Sequence, residues 1–99
     1  MIARVWRGRV RSGMLVQYLA TIVRRGMNDY QKTPGNRGAY TLSREHADYG
    51  EIVMISLWDS LDAVARFTGP DVTLAQYYPE DRDFLLDFPE RVDHYDVTG

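Results

Sequence analysis

The sequence predicts an α+β fold in which one antiparallel sheet is covered by two helices. Three features carry that expectation. Strand-like and helix-like segments follow one another as β-α-β-β-α-β along 99 residues. The run EIVMISLW is apolar on both faces, which suits a strand buried on both sides. The segment from Ser12 to Tyr30 repeats apolar side chains at intervals of three and four, the period of an amphipathic helix. A chain of this length is expected to form a single domain, residues 1–99.

The opening segment, Met1 to Val10, alternates. Ile2, Arg4, Trp6, Gly8 and Val10 share one face, and Ala3, Val5, Arg7 and Arg9 share the other. Ser12 is the expected cap of the first helix. Its buried stripe is Leu15, Tyr18, Leu19, Ile22, Val23 and Gly26. Arg24 and Arg25 suit the negative end of the helix dipole, and Gly26 weakens the last turn, so fraying is expected around Asp29. Thr33-Pro34-Gly35-Asn36 reads as a turn.

The second strand is expected from Asn36 to His46, with Gly38 at a bulge or close approach. Ala47 to Gly50 forms a hairpin connection, and Glu51 to Trp58 is the third strand. Asp59 or Ser60 caps a second helix that buries Leu61, Val64, Ala65 and Thr68, and Gly69-Pro70 ends it. Pro79, with Glu80 and Asp81 behind it, resembles a helix first turn. Phe84, Leu85 and Phe88 give that piece something to bury. Arg91 to Val97 alternates again and reads as the fourth strand.

This order is that of the ferredoxin-like split βαβ unit, whose sheet carries helices on one face only. The alternation is read with Val53, Ile55 and Leu57 toward the helices and with Trp6, Met54, Ser56 and Trp58 on the opposite face. An apolar patch of that size is rarely left in water. A second sheet packed face to face would cover it, so a homodimer is expected.

Composition narrows the function classes. The net charge is −2, which gives no global basic field for nucleic acid or anionic lipid. There is no cysteine, so disulfides, thiolate metal sites and cysteine nucleophiles are excluded. The N-terminal segment reads neither as a signal peptide nor as a membrane span, and the expected compartment is the cytoplasm. No Gly-rich phosphate loop, nucleophile elbow or His-Glu metal motif occurs. Two isolated histidines, His46 and His94, do not make a metal site.

MIARVWRGRV, TPGNRGAYTL, EIVMISLWDSLDAVARFTG and YYPEDRDFLLDFPERVDHYDV together resemble the antibiotic biosynthesis monooxygenase (ABM) domain family over nearly the whole chain. The resemblance implies a dimeric α+β barrel of two ferredoxin-like protomers. It also implies oxygenation of a small aromatic substrate, such as a phenol, anthrone or quinol, with O2 and no cofactor. Trp58 matches the pocket tryptophan of such enzymes. Met54, Val64 and about Tyr78 stand where the polyketide oxygenases carry asparagine, tyrosine and arginine. Tyr77 and Trp6 stand where the haem-degrading type carries its iron-binding histidine and first-strand asparagine, so haem degradation is disfavoured. A non-catalytic ligand-binding or interaction module of the same fold is the alternative.

The candidate catalytic residues are Trp58, His94 and Arg4. Trp58 either fills the core or forms a pocket wall that stacks on a flat ligand. Arg4 either pairs with Asp96 or Asp93 or holds an anion over the pocket. His94 is either a satisfied strand histidine or the acceptor of a phenol proton. Trp6, Met54, Ser56, Tyr77 and Tyr78 are the candidate substrate-binding residues, the two tyrosines as a lid or wall. No metal or other cofactor is expected, and the expected partners are a second copy and a small aromatic ligand.

Overall fold

Three long strands, β1 (Ile2–Arg11), β2 (Asn36–Glu45) and β3 (Tyr49–Trp58), and a short β4 (Asp93–Asp96) pair into one sheet. The computed structural model describes residues 1–99. The sheet order is β2-β3-β1-β4, and every pairing is antiparallel. β1 and β3 are the two central strands. Between β1 and β2 lie three contiguous helical segments, α1 (Leu15–Tyr18), a π-helical stretch (Leu19–Val23) and α2 (Arg24–Lys32). α3 (Leu61–Thr68) follows β3, and a 3-10 turn (Pro79–Asp83) precedes β4.

Local chemistry accounts for most boundaries. The Ser60 hydroxyl accepts the Ala63 backbone N–H and caps α3. Gly69, at a φ of 87°, ends it. A register shift between Asn36 and Gly38 interrupts the β2–β3 ladder, and Gly38 has a φ of 124°. The Asn36 side chain bridges that bulge, accepting from the Gly38 N–H and donating to the Leu57 carbonyl.

Several boundaries differ from expectation. Ser12 lies in a turn and does not cap the first helix, which starts at Leu15 without a side-chain cap. That helix does not fray at Asp29 but runs to Lys32, because Tyr30 in its last turns is buried against Trp58. Tertiary burial there outweighs the cost of Gly26. β4 is confined to Asp93–Asp96, where β1 supplies partners. Leu61 and Phe88 are exposed, whereas Ala63 is buried on α3.

The larger correction concerns the two faces of the sheet. Trp6, Val10 and Ile52 cluster with Leu15, Tyr18, Ile22 and Val23 of the helical segments. Trp58 clusters with Tyr30, Ala63 and Val64. The face holding Trp6, Met54, Ser56 and Trp58 is therefore the helix side, opposite to the expectation. The bulky aromatics fill the deep space between sheet and helices. Val53, Ile55 and Leu57 point to the open side with Tyr40 and Leu42, their β2 neighbours in the ladder. Tyr40 is 64% exposed and Leu42 53%.

Residues 70–92 contain little regular structure, and β1 fixes their course. Leu85 bridges to Val10, and backbone bonds join Arg11 N–H to Phe84 O and Leu86 N–H to Arg9 O. Arg4 reaches the same segment by its side chain, donating to the carbonyls of Val72 at 2.7 Å and Leu74 at 2.8 Å. A second small ladder joins Ala75 N–H to Glu90 O and Val92 N–H to Thr73 O. Each carbonyl orphaned in a buried site costs about 1–3 kcal/mol. Arg4→Met leaves the half-buried Val72 carbonyl without its donor and the Leu74 carbonyl with only its 3.3 Å bond from Gln76, so it should lower stability by about 1–3 kcal/mol in urea denaturation and speed amide exchange at Ala75 and Val92. An unchanged midpoint with unchanged exchange would show that Arg4 does not anchor the segment.

Candidate functional site

A cavity of about 240 Å³ lies between the helix side of the sheet and the helices. Trp6 and Met54 form its sheet wall, and the helical wall comes from Tyr18, Ile22, Val23, Gly26, Asp29 and Tyr30. Phe67 of α3 closes one end, and Gln76, Tyr77, Tyr78 and Asp81 close it from the 70–92 segment. Ile22 and Val23 reach it from the π-helical stretch, whose wider turn is a feature common at functional sites.

Trp6 owes its position to a glycine. A Cβ added at Gly8 would lie 2.2 Å from the indole, so only glycine lets the ring lie flat along β1. The indole N–H then donates to the Tyr77 hydroxyl at 3.0 Å, and the two rings meet edge to face with centroids 6.2 Å apart. Tyr77 donates in turn to the Pro89 carbonyl. A buried indole N–H needs such an acceptor, and this one carries the chain across the cavity.

Asp81 is the best-satisfied polar group of the site. It is buried, accepts the Tyr18 hydroxyl at 2.8 Å, and accepts the Tyr78 backbone N–H at 2.8 Å. Its part is to start the 3-10 turn and pin it to the helix. Asp29 is half-buried and accepts the Tyr78 hydroxyl through Oδ2. The outer face of the Tyr78 ring lies 4.1 Å from the Arg25 guanidinium, which also pairs with Glu80.

The expected site residues divide into two groups. Trp6, Met54, Tyr77 and Tyr78 line the cavity. Trp58, Ser56, Arg4 and His94 do not. Trp58 is fully buried behind the wall, donates its indole N–H to the Ser56 hydroxyl at 2.9 Å, and meets Tyr30 edge to face. Arg4, only 3% exposed, spends its donors on backbone carbonyls. Neither Asp93 nor Asp96 pairs with it; Asp93 pairs with Arg7 instead. His94 stands beside Arg4 in the β1–β4 ladder. Burial first, and the nearby Arg4 charge second, depress its pKa.

Tyr18, Tyr30, Asp29, Phe67 and Asp81 belong to the cavity but were not singled out in the sequence. Tyr18 reads as an ordinary member of the buried helical stripe. Asp29 and Tyr30 fall where the helix is expected to end. Only the length of the helix brings them to the site. No group of three or more histidine and acidic side chains converges as metal ligands would, and no helix is long and apolar enough to cross a membrane. No family model matches the chain, and no curated protein matches it.

Burial holds the cavity tyrosines in their neutral form. The Tyr18 pKa is raised by desolvation and then by Asp81. That of Tyr78 is raised by desolvation and then by its bond to Asp29. Tyr30 and Tyr77 move the same way, again chiefly through burial. A tyrosine whose folded pKa exceeds its unfolded value stabilises the fold fully below the unfolded pKa, here 10.0. That stability is lost as pH rises from there toward the folded pKa. The denaturation midpoint should therefore fall steeply above about pH 10, and Tyr78→Phe should flatten part of the fall. A midpoint constant through that window would contradict the arrangement of hydroxyls.

Proposed function

We propose that this chain binds a small, flat aromatic molecule in the cavity between its sheet and helices. The observation that carries the reading is the lining: six aromatic side chains surround about 240 Å³. A closed cavity of about 150 Å³ is already enough for benzene, so the space suits one substituted ring or two fused rings. Aromatic walls favour offset or edge-to-face contact with such a ligand. The polar groups among the walls already hold one another, which limits what a strongly polar ligand would gain.

The fold we assign is the ferredoxin-like split βαβ unit of the ABM group. The strand order and the placing of the helical segments on one side of the sheet support it. We also assign a homodimer formed through the open face. Tyr40 and Leu42, both exposed, and their half-buried β3 neighbours Val53, Ile55 and Leu57 support that assignment, since they share one apolar patch of the open face. Light scattering at micromolar concentration should give twice the chain mass. Leu42→Glu should halve it, and a wild-type monomer would remove the dimer.

A second reading keeps the chemistry of the resemblance, in which a phenol or quinol loses a proton and its anion passes an electron to O2. One observation favours it: the Asp29 carboxylate reaches the cavity and can accept that proton. The protein would supply binding, desolvation and the acceptor. Binding alone stands ahead, because no arginine, lysine or histidine lines the cavity to stabilise the anion.

Gly26 offers the test. It lies on the cavity wall, and a Cβ there would meet only the Met54 methyl, at 3.9 Å. Gly26→Ala should raise stability by about 0.5–1 kcal/mol through helix propensity. Gly26→Leu should fill the cavity and weaken aromatic binding at least about tenfold, read by calorimetric titration with naphthol and hydroquinone. Undiminished binding in a folded Gly26→Leu protein would move the ligand elsewhere. Oxygen uptake above the uncatalysed rate, lost in that variant, would put the second reading first.

A further inference from the structure

The charges around the cavity are one-sided. Two carboxylates, Asp29 and Asp81, lie in its wall, and no lysine, arginine or histidine does. Asp81 is occupied on both oxygens. Asp29 holds the Tyr78 hydroxyl through Oδ2, and its Oδ1 has no partner in the protein. Two cations lie just outside the wall. Arg4 donates to two backbone carbonyls and lies beside the Tyr30 hydroxyl, and Arg25 is neutralised by Glu80. An anion entering the cavity would thus meet carboxylates and the negative faces of tyrosine and tryptophan rings, with no cationic side chain in the lining and the nearest, Arg4, held behind Tyr30 by two carbonyls.

The same surroundings attract a cation. A desolvated ammonium is drawn to the faces of tryptophan and tyrosine, and aromatic cages serve this purpose for quaternary and substituted ammonium groups. The molecule already shows the attraction on the outer side of one cavity ring, where the Arg25 guanidinium sits 4.1 Å from the Tyr78 centroid. A carboxylate at the rim completes the arrangement by giving the ammonium N–H groups an acceptor.

We infer that the cavity selects a small organic ammonium, an aromatic or alkyl amine in its protonated form, over neutral and anionic molecules of the same shape. The inference rests on the reading of this cavity as the ligand site. Its parts are Trp6 and Tyr77 as the cage faces, Tyr30 and Phe67 as the apolar end, and Asp29 as the carboxylate partner. Tyr78 has two tasks. Its ring forms a wall, and its hydroxyl holds Asp29 in place until a ligand N–H competes for the carboxylate.

Three probes of matched shape separate this from the broader reading: phenethylammonium, 2-phenylethanol and phenylacetate, titrated calorimetrically at about pH 7. The ammonium should bind about tenfold more tightly than the alcohol, and phenylacetate should give no measurable heat. Asp29→Asn should cut the ammonium-to-alcohol ratio to about two or less. Tyr78→Phe, which keeps the ring and frees the carboxylate, should keep the ratio or raise it. Alcohol binding equal to or tighter than ammonium binding in the wild type overturns the charge selection and leaves the aromatic cavity standing. An unchanged ratio in folded Asp29→Asn, or a ratio near one in Tyr78→Phe, overturns the assigned role of Asp29. Absence of binding by all three probes overturns both this inference and the reading beneath it.

Discussion

Two polar tips from one strand hold the irregular segment 70–92 of this molecule in place. Arg4 and Trp6 are neighbours on the same face of β1 and lie under 70–92, a segment with few backbone bonds of its own. Arg4 ties down the carbonyls of Val72 and Leu74. Trp6 ties down Tyr77, and through it Pro89. Both donors are buried and must be satisfied. The segment supplies the acceptors, and that exchange sets where Tyr77, Tyr78 and Asp81 stand. Without it the space between sheet and helices would be an open groove. With it, the space is walled on the segment side by Gln76, Tyr77, Tyr78 and Asp81, of which Tyr77 binds β1 through Trp6 while Tyr78 and Asp81 bind each other and the helical segments.

Gly8 and Gly26 show how small the requirements for such a cavity are. Gly8 gives up its side chain so that the Trp6 indole can lie along the strand. Gly26 stands in a helix interior, where glycine costs about 1 kcal/mol relative to alanine, and leaves open the space that a larger residue would occupy. The π-helical stretch just before it sets where Ile22 and Val23 point. Local preferences are overridden at three places on the path of one cavity, which is where a functional constraint is expected to appear.

The element order and the helical stripe were legible in the sequence because they rest on periodicity. Leu15, Tyr18, Ile22 and Val23 are buried as their spacing requires. The sign of the sheet faces was not legible. Alternation says which residues share a face but not which face meets the helices, and β3 is apolar on both. Volume decides that question. Trp6 and Trp58 need the deep space under the helices, while Val53, Ile55 and Leu57 can lie on a shallower surface. The same limit applies to Trp58. The alternation places it beside Ser56, and that neighbour proves to be the acceptor of its indole N–H. Tyr30 and Phe67 then separate it from the cavity. Tyr77 and Tyr78, the paired aromatics before Pro79, stand in the cavity wall, whereas Asp29 and Tyr30 depended on a helix end that propensity places too early.

The two tryptophans make the central claim directly measurable, since each indole N–H gives its own resonance and they occupy different places. Trp6 lies in the cavity wall, bonded to Tyr77; Trp58 lies behind it, bonded to Ser56. Titration with a small aromatic amine should move the Trp6 indole resonance saturably and leave that of Trp58 shifted several-fold less. Saturable movement of Trp58 with Trp6 unmoved, or no movement of either at ligand concentrations where calorimetry records binding, would contradict the account.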